Sequence, residues 1–398
     1  MTTTPLPSTG PDRRTRLLGI AAAIGAITAV GGSMGLGLPL LAIVLEGRGV
    51  SPTLIGLNTA TAGVAALAVT PFAPRLAHRF GTARVLAAVL LVAAACFPLF
   101  FVLEHIGWWF LLRLVFHGSI NVAFILSEFW MNALAPPARR GLVMGVYATM
   151  LSAGFALGPA VLGLVGSVGA TPFVVGAAVM ALGALPVLLA GRADPGMDEE
   201  PKGSILRFVA LVPLATFAAL AMGATESGVL SLVAVYGLRL GYDEAMAALL
   251  VSAVVVGNMG SQIPLGLLSD RMDRRLLLLA IAVCATILAV VIPSTVGSPA
   301  IMVVFLAAWG GVAAGLYTVG LTHLGARLSG TDLASANAAF ILMYALGMLV
   351  GPASLGVAMD LVPPHGLFFA AAAFTLAYAV LAAWRLARPP AREASRIP

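Results

Sequence analysis

Twelve long apolar runs alternate with short polar breaks along the chain. They fall at 17–45, 53–73, 84–103, 107–133, 141–166, 171–191, 207–237, 244–268, 276–294, 298–322, 334–359 and 366–386. A run of about 18 apolar residues or more is long enough to cross a bilayer as a helix. In lipid every backbone amide must be bonded within its own segment, which favours helices over open strands. The pattern predicts an all-α membrane protein of twelve transmembrane helices.

The polar breaks carry the orientation. With the N-terminus cytoplasmic, 19 of the 22 Lys and Arg residues fall in cytoplasmic segments. Only Arg48 and Arg239 fall outside, and Arg113 lies within a run. Positive residues collect on the cytoplasmic side of spanning helices, so both termini are expected inside. The longest central break, "GRADPGMDEEPKGS" at 191–204, has the proline, glycine and mixed charge of a linker. The expected organisation is a cytoplasmic N-terminal segment 1–16, a six-helix bundle 17–191, a cytoplasmic linker 192–206, a second six-helix bundle 207–386 and a cytoplasmic tail 387–398. The first run is too long for a signal-peptide core and reads as the first span.

An internal repeat supports the two bundles. "GFALGPAVLG" at 154–163 returns as "GMLVGPASLG" at 347–356, an offset of 193. "RLAHRFGTARVL" at 75–86 aligns with "LLSDRMDRRLLL" at 267–278, an offset of 192, and Arg48 with Arg239, an offset of 191. Two repeats related about the membrane normal form a transporter plan, with the substrate site at mid-membrane between them.

Composition narrows the function. The chain is 60% hydrophobic and 10% charged, with a net charge of +6 carried in short loops. Topology accounts for that charge better than nucleic acid does. Cys96 and Cys284 lie inside apolar runs, so neither a disulfide framework nor a metal site is expected. No nucleotide-binding loop or nucleophile elbow is visible. "GSMGLG" at 32–37 lies inside a span, which dismisses a dinucleotide role. No cofactor is expected, and no enzymatic activity.

One polar break is unusual. "PLGLLSDRMDRRLLLL", 264–279, packs Asp270, Arg271, Asp273, Arg274 and Arg275 into six residues. With Gly266 these residues resemble a loop motif of the major facilitator superfamily, roughly G-x-L-x-D-R-x-G-R-R, with Asp273 where the family usually has glycine. The first-half copy is degraded: Pro74 and His78 replace the glycine and aspartate, while Arg79 and Gly81 remain. The chain is also similar to small bacterial carriers with "R…SEFWMN" in span four and "Q-x-P-x-G-x-L-x-D" after span eight, here Arg113 to Asn132 and Gln262 to Asp270. The resemblance implies twelve helices in two pseudo-symmetric bundles, and a secondary carrier working by alternating access. By the pseudo-symmetry Asp270 should face the start of span five at Arg139, Arg140 and Gly141, as a latch on the cytoplasmic side. The plainer alternative is that these charges only anchor topology.

Charged residues within spans are costly and mark function. In span four, Arg113, His117, Asn121 and Glu128 lie at about 0°, 40°, 80° and 60° around the helix and form one polar stripe. Arg113 matches the span-four arginine that the resemblance links to proton coupling, although His117 departs from the family's small residue there. In span seven Glu226 sits about eleven residues from the outer end, near mid-membrane. Low dielectric disfavours a carboxylate's charged form, which suits a proton carrier. The candidates for proton coupling are Glu226, Arg113, Glu128 and His117. Asn121, Asn258, Gln262, Tyr317, Asn337 and Tyr344 are candidates to line the substrate cavity, and each would serve equally as a helix–helix hydrogen-bonding group. Trp108, Trp109 and Trp384 near span ends fit interface anchoring.

Span five carries Gly145, Gly154, Gly158, Pro159 and Gly163, a pattern that resembles the superfamily's proton antiporters. Gly351 and Pro352 repeat it in span eleven. Ordinary tight helix packing would use the same residues. The reading is a proton-coupled carrier of a small organic solute, by efflux more than by uptake through symport. The expected partners are the solute, protons and membrane lipid, with no nucleic acid, and the expected state is a monomer in a bacterial inner membrane. A non-transporting sensor and a lipid-acting membrane enzyme are the competing classes. Neither finds a signalling domain or a catalytic pair in the sequence.

Overall fold

The computed structural model describes residues 13–135, 140–191, 205–326, 328 and 330–387. Most of the expected N-terminal segment, the linker at 192–204 and the tail from 388 lie outside the described residues, and so does Arg139. The described chain is helical, with twelve helices long and apolar enough to cross a membrane. Twelve crossings return the chain to its starting side. The side that carries both ends is called here the chain-end face, and the other the far face.

The first half comprises α1 (Arg13–Gly47), α2 (Pro52–Val69), α3 (Ala73–Phe80), α4 (Thr82–Val102), α5 (Ile106–Leu134), α6 (Arg140–Val165) and α7 (Thr171–Leu189). The second comprises α8 (Ile205–Leu211), α9 (Pro213–Arg239), α10 (Glu244–Arg271), α11 (Arg274–Val291), α12 (Pro299–Gly325), α13 (Gly330–Leu361) and α14 (Gly366–Ala387). Two of these, α3 and α8, are short helices that the apolar pattern did not separate. The second run breaks at Pro71, which has no N–H to continue the helical ladder, although Thr70 before it keeps helical angles (φ −51°, ψ −44°). The seventh run breaks at the residue before a proline, which is pushed away from helical geometry. Val212 takes φ −125° and ψ 57° before Pro213, which then opens α9.

The helix pairs repeat between halves. In the first half α1 packs on α6, α4 on α7 and α2 on α5. The equivalent pairs in the second half are α9 on α13, α11 on α14 and α10 on α12. The glycines set the closeness of the first pair in each half. A methyl group at Gly158 would strike the backbone of Gly35 and Leu36 on α1, and one at Gly351 would strike the backbone of Ala224 on α9.

The halves meet through a symmetric pair of contacts, α2 with α13 and α6 with α10. Gly56 of α2 lies against the Pro352 carbonyl, and Gly356 of α13 against Pro52. Gly163 faces Ala248 near the far ends of α6 and α10. These contacts close the far face.

One expected anchor is buried within the protein. Trp109 is 0% exposed. Its Nε1 donates to the Leu103 carbonyl at 2.6 Å, and the Arg48 guanidinium lies 5.0 Å from its ring centroid. It packs the far end of the first half, because the turn of α5 that carries it faces Phe100 of α4. Trp108 and Trp384 are exposed.

Candidate functional site

One carboxylate gathers most of the polar candidates of the second half. Glu226 is partly exposed on a helix whose neighbouring turns are buried. Its Oε1 accepts from Asn258 Nδ2 of α10 at 2.8 Å, and its Oε2 accepts from the Tyr344 hydroxyl of α13 at 2.6 Å. Gln262, one turn along α10, donates Nε2 to Asn258 Oδ1 at 3.1 Å. That bond fixes the amide so that its NH2 points at the carboxylate. A relay of donors, Gln262 to Asn258 to Glu226, is therefore aimed at one acid. The spacing of Asn258 and Gln262, four residues apart on a helix, places both on one face.

Aromatic rings wall the site. Tyr317 of α12 packs edge-to-face on Tyr344 with centroids 5.6 Å apart, and on Phe340 at 5.0 Å. Asn337 sits two turns before Tyr344 on the same face of α13, with its Oδ1 buried. Glu128 of α5, in the other half, is exposed.

The rest of the span-four stripe behaves differently. Arg113 is 0% exposed and His117 is 1% exposed. Neither the Arg113 guanidinium nitrogens nor His117 Nε2 makes a hydrogen bond among the described residues. His117 Nδ1 donates to the Arg113 carbonyl at 3.1 Å, and Asn121 Nδ2 donates to the His117 carbonyl at 2.8 Å. These side chains turn back on their own helix. Arg113 is not the partner of Glu226, whose two recorded partners are neutral.

The charged loop motif lies within the second half. Asp270, in the last turn of α10, has a 70% exposed side chain, 3.7 Å from Arg274 at the start of α11. Arg274 Nε reaches Ser269 Oγ at 3.3 Å, and Ser269 meets Thr322 of α12 at 2.9 Å. Arg275 donates to the Arg385 carbonyl of α14 at 2.8 Å. Asp273 caps α11, with its side chain accepting from the Arg275 amide at 2.8 Å. That role explains an aspartate where glycine is usual. Gly266 has open space around it, Arg271 is exposed, and Arg79 lies 5.2 Å from the Phe80 ring centroid. Arg139 and the side chain of Arg140 are outside the described residues, so the facing partner expected for Asp270 is not among those seen.

The profile of the Major Facilitator Superfamily matches residues 21–297 and again 215–398. The chain belongs to the major facilitator superfamily. It is 27% identical over 353 residues to the MFS-type transporter YfkF of Bacillus subtilis strain 168, itself described as uncharacterized, covering 85% of this chain and 88% of that one. Among solved structures it superposes on the nucleoside transporter NupG with a TM-score of 0.76 at 14% identity, over 94% of this chain and 100% of that one. It superposes on a bacterial homologue of the human lysosomal transporter Spinster, in an inward-facing and unoccupied conformation, with a TM-score of 0.74 at 14% identity, over 96% and 100%. At such identity the superpositions speak for the fold. Family and fold together make this superfamily member a multi-pass membrane transporter of a small molecule and not an enzyme.

Proposed function

We propose that the protein is a proton-coupled secondary carrier that exports a small organic solute by proton antiport. The observation that carries this reading is the Glu226 carboxylate, held by two neutral donors from α10 and α13 with no cation bonded to it among the described residues. An acid in that setting can take and lose a proton without breaking an ion pair. Its bonds also join α9, α10 and α13, so a change in its charge acts on the helix α13 that packs across to α2. Arg113 acts from behind the cavity as a fixed charge with His117 beside it, and Glu128 serves as a second acidic group at its edge. Asn121, Asn258, Gln262, Tyr317, Asn337 and Tyr344 supply the polar lining.

In the cycle the two halves rock about this site. The chain-end face is cytoplasmic, with both termini inside and the site reached from there while the far face is shut. The protein works as a monomer in the inner membrane. Export is favoured by the glycine–proline pattern of α6, at Gly154, Gly158 and Pro159. Uptake by symport would use the same carboxylate.

The test uses purified protein in proteoliposomes and a solute found by thermal stabilisation across metabolites and quaternary cations. Glu226→Gln should abolish flux driven by a pH gradient and leave counterflow exchange. Full gradient-driven flux in that variant would move the proton site elsewhere, with Glu128 next to be changed. Cysteines at positions 198 and 240 test the topology: 198 should label only from the cytoplasm and 240 only from outside.

A further inference from the structure

The far face is held by polar bonds that none of the site residues accounts for. Asp360, near the end of α13, accepts two hydrogen bonds through Oδ2 from Thr53 at the start of α2. The Thr53 amide lies at 2.8 Å and its Oγ1 at 2.6 Å. Glu244, the first residue of α10, accepts two from Ser167 in the loop after α6. The Ser167 amide lies 3.0 Å from Oε2 and its Oγ 2.7 Å from Oε1. Each carboxylate therefore grips one residue of the opposite half by both hydroxyl and backbone N–H.

The two grips are images of each other. Thr53 and Glu244 are 191 residues apart, and Ser167 and Asp360 are 193 apart. Those are the offsets of the internal repeat. The pseudo-two-fold therefore carries one grip onto the other, but with acid and hydroxyl exchanged. At the α2/α13 contact the acid lies in the last turn of α13 and the hydroxyl in the first turn of α2. At the α6/α10 contact the acid opens α10 and the hydroxyl follows α6. In both cases the acid belongs to the second half and the donor to the first.

A third bond braces them. Arg239 at the end of α9 places Nε 2.8 Å from Glu46 Oε1 of α1, and its NH1 lies 3.9 Å from Asp360 Oδ1. Arg239 is one of the two basic residues that break the charge bias. Its repeat mate, Arg48, stays within its own half and donates to the Glu104 carbonyl at 3.1 Å. Only the second-half arginine crosses.

We propose that Asp360–Thr53 and Glu244–Ser167 form a paired clasp, braced by Arg239–Glu46, that holds the far face shut and parts for solute to pass there. The grips suit reversible opening. Side-chain exposures of 28% for Arg239, 19% for Glu46 and 31% for Asp360 let water take up each bond as it breaks. When parted, Glu46 loses Arg239 and is left to water, while the two gripping acids keep favourable settings. Glu244 stays in the first turn of α10, where a negative charge is favourable, and Asp360 keeps Arg239 beside it. The inference rests on the alternating-access part of the functional reading and not on its proton coupling.

The experiment measures distance across the far face in full-length protein in nanodiscs, with no solute and no gradient. Spin labels replace the exposed Glu104 of the first half and Gly297 of the second, in a Cys284→Ser background. The parent should give mainly the short distance. Glu244→Gln and Asp360→Ala should each raise the share of the long distance about two- to fivefold, and the double variant by about the product. The swap Ser167→Asp with Glu244→Thr rebuilds one grip in the arrangement of the other and should restore the parent distribution, while each single change should not. Restoration is not expected of residues that merely pack. An unchanged distribution in the double variant, or a swap that behaves like its singles, would overturn the clasp. Because no proton gradient is present, failure of Glu226 as the proton site would leave these distances as they are. Where Asp360→Ala does not fold, the swap pair decides alone.

Discussion

Tyr344 donates its hydroxyl to Glu226 Oε2 across 2.6 Å and so ties α13 to α9 at a single carboxylate. The same two helices touch along their glycines, where a Cβ at Gly347 would meet the Leu220 carbonyl. On its other side α13 packs on α2 of the first half. Whatever alters the charge on Glu226 therefore pulls on the helix that joins the halves. Tyr344→Phe keeps the ring and its contact with Tyr317 and removes only the donor. A hydrogen bond to a charged group contributes about 1.5–3 kcal/mol. The lower end applies at this partly exposed site, so gradient-driven flux should fall about tenfold. Exchange flux and fold should stay close to the parent's. Equal loss of both fluxes would make Tyr344 a solute contact and not part of the coupling.

The cavity's charge gives the second prediction. Arg113 is fully buried, while Glu226 is partly exposed and Glu128 exposed. Glu128 and Glu226 are joined by the partly exposed Tyr317 and Tyr344 and by uncharged amides, and ring faces attract cations. Tetraphenylphosphonium and tetraphenylborate have nearly the same shape and opposite charge. The cation should stabilise the purified protein against heat and the anion should not, and Glu128→Gln should weaken the cation's effect several-fold. Equal stabilisation by both ions would show that shape alone is read.

How far the sequence spoke for this site can be seen residue by residue. Glu226, Asn258, Gln262, Tyr317 and Tyr344 each stand out as polar groups in apolar runs. Periodicity places each on a face of its own helix, but only packing decides which helix that face meets. The same limit explains Arg113. Its stripe was visible, whereas its cover by neighbouring helices was not, so the sequence offered it for proton coupling without showing that it is fully buried. The far-face grips went unseen for another reason. Thr53, Ser167, Glu244 and Asp360 lie at helix ends, where polar residues are ordinary. Only Arg239 carried a signal, as an exception to the charge bias. The breaks before α3 and α9 were legible in Pro71 and Pro213, but hydropathy alone runs across them.

Glycine spacing in α6 and α13 makes the third prediction. Gly158 and Gly351 face backbone on the neighbouring helix, and Gly266 faces open space. Gly158→Ala and Gly351→Ala should each cost about 1–3 kcal/mol, as overpacking in a tight interior does. The melting temperature in detergent should drop by several degrees for both. Gly266→Ala should leave it unchanged. If all three melt together, the close approach does not set stability.

Asp270 gives the last prediction, and its sign is opposite to that of the far-face variants. Here its recorded partner is Arg274 at 3.7 Å, on the same side of the chain, and its side chain is 70% exposed. An exposed ion pair contributes only about 0.2–1 kcal/mol. Asp270→Asn should therefore leave the melting temperature of this state unchanged within about a degree. As a latch for the chain-end face, Asp270 would act only in the opposite state, where that face closes. Its loss would then favour the state seen here, with the far face shut. Transport should slow by about two- to tenfold, and the long distance between labels at positions 104 and 297 should become rarer. A variant that transports like the parent in the same vesicles would reduce the charged motif to a topology anchor. A variant that melts early would instead assign Asp270 to the folded state, against the exposure of its side chain.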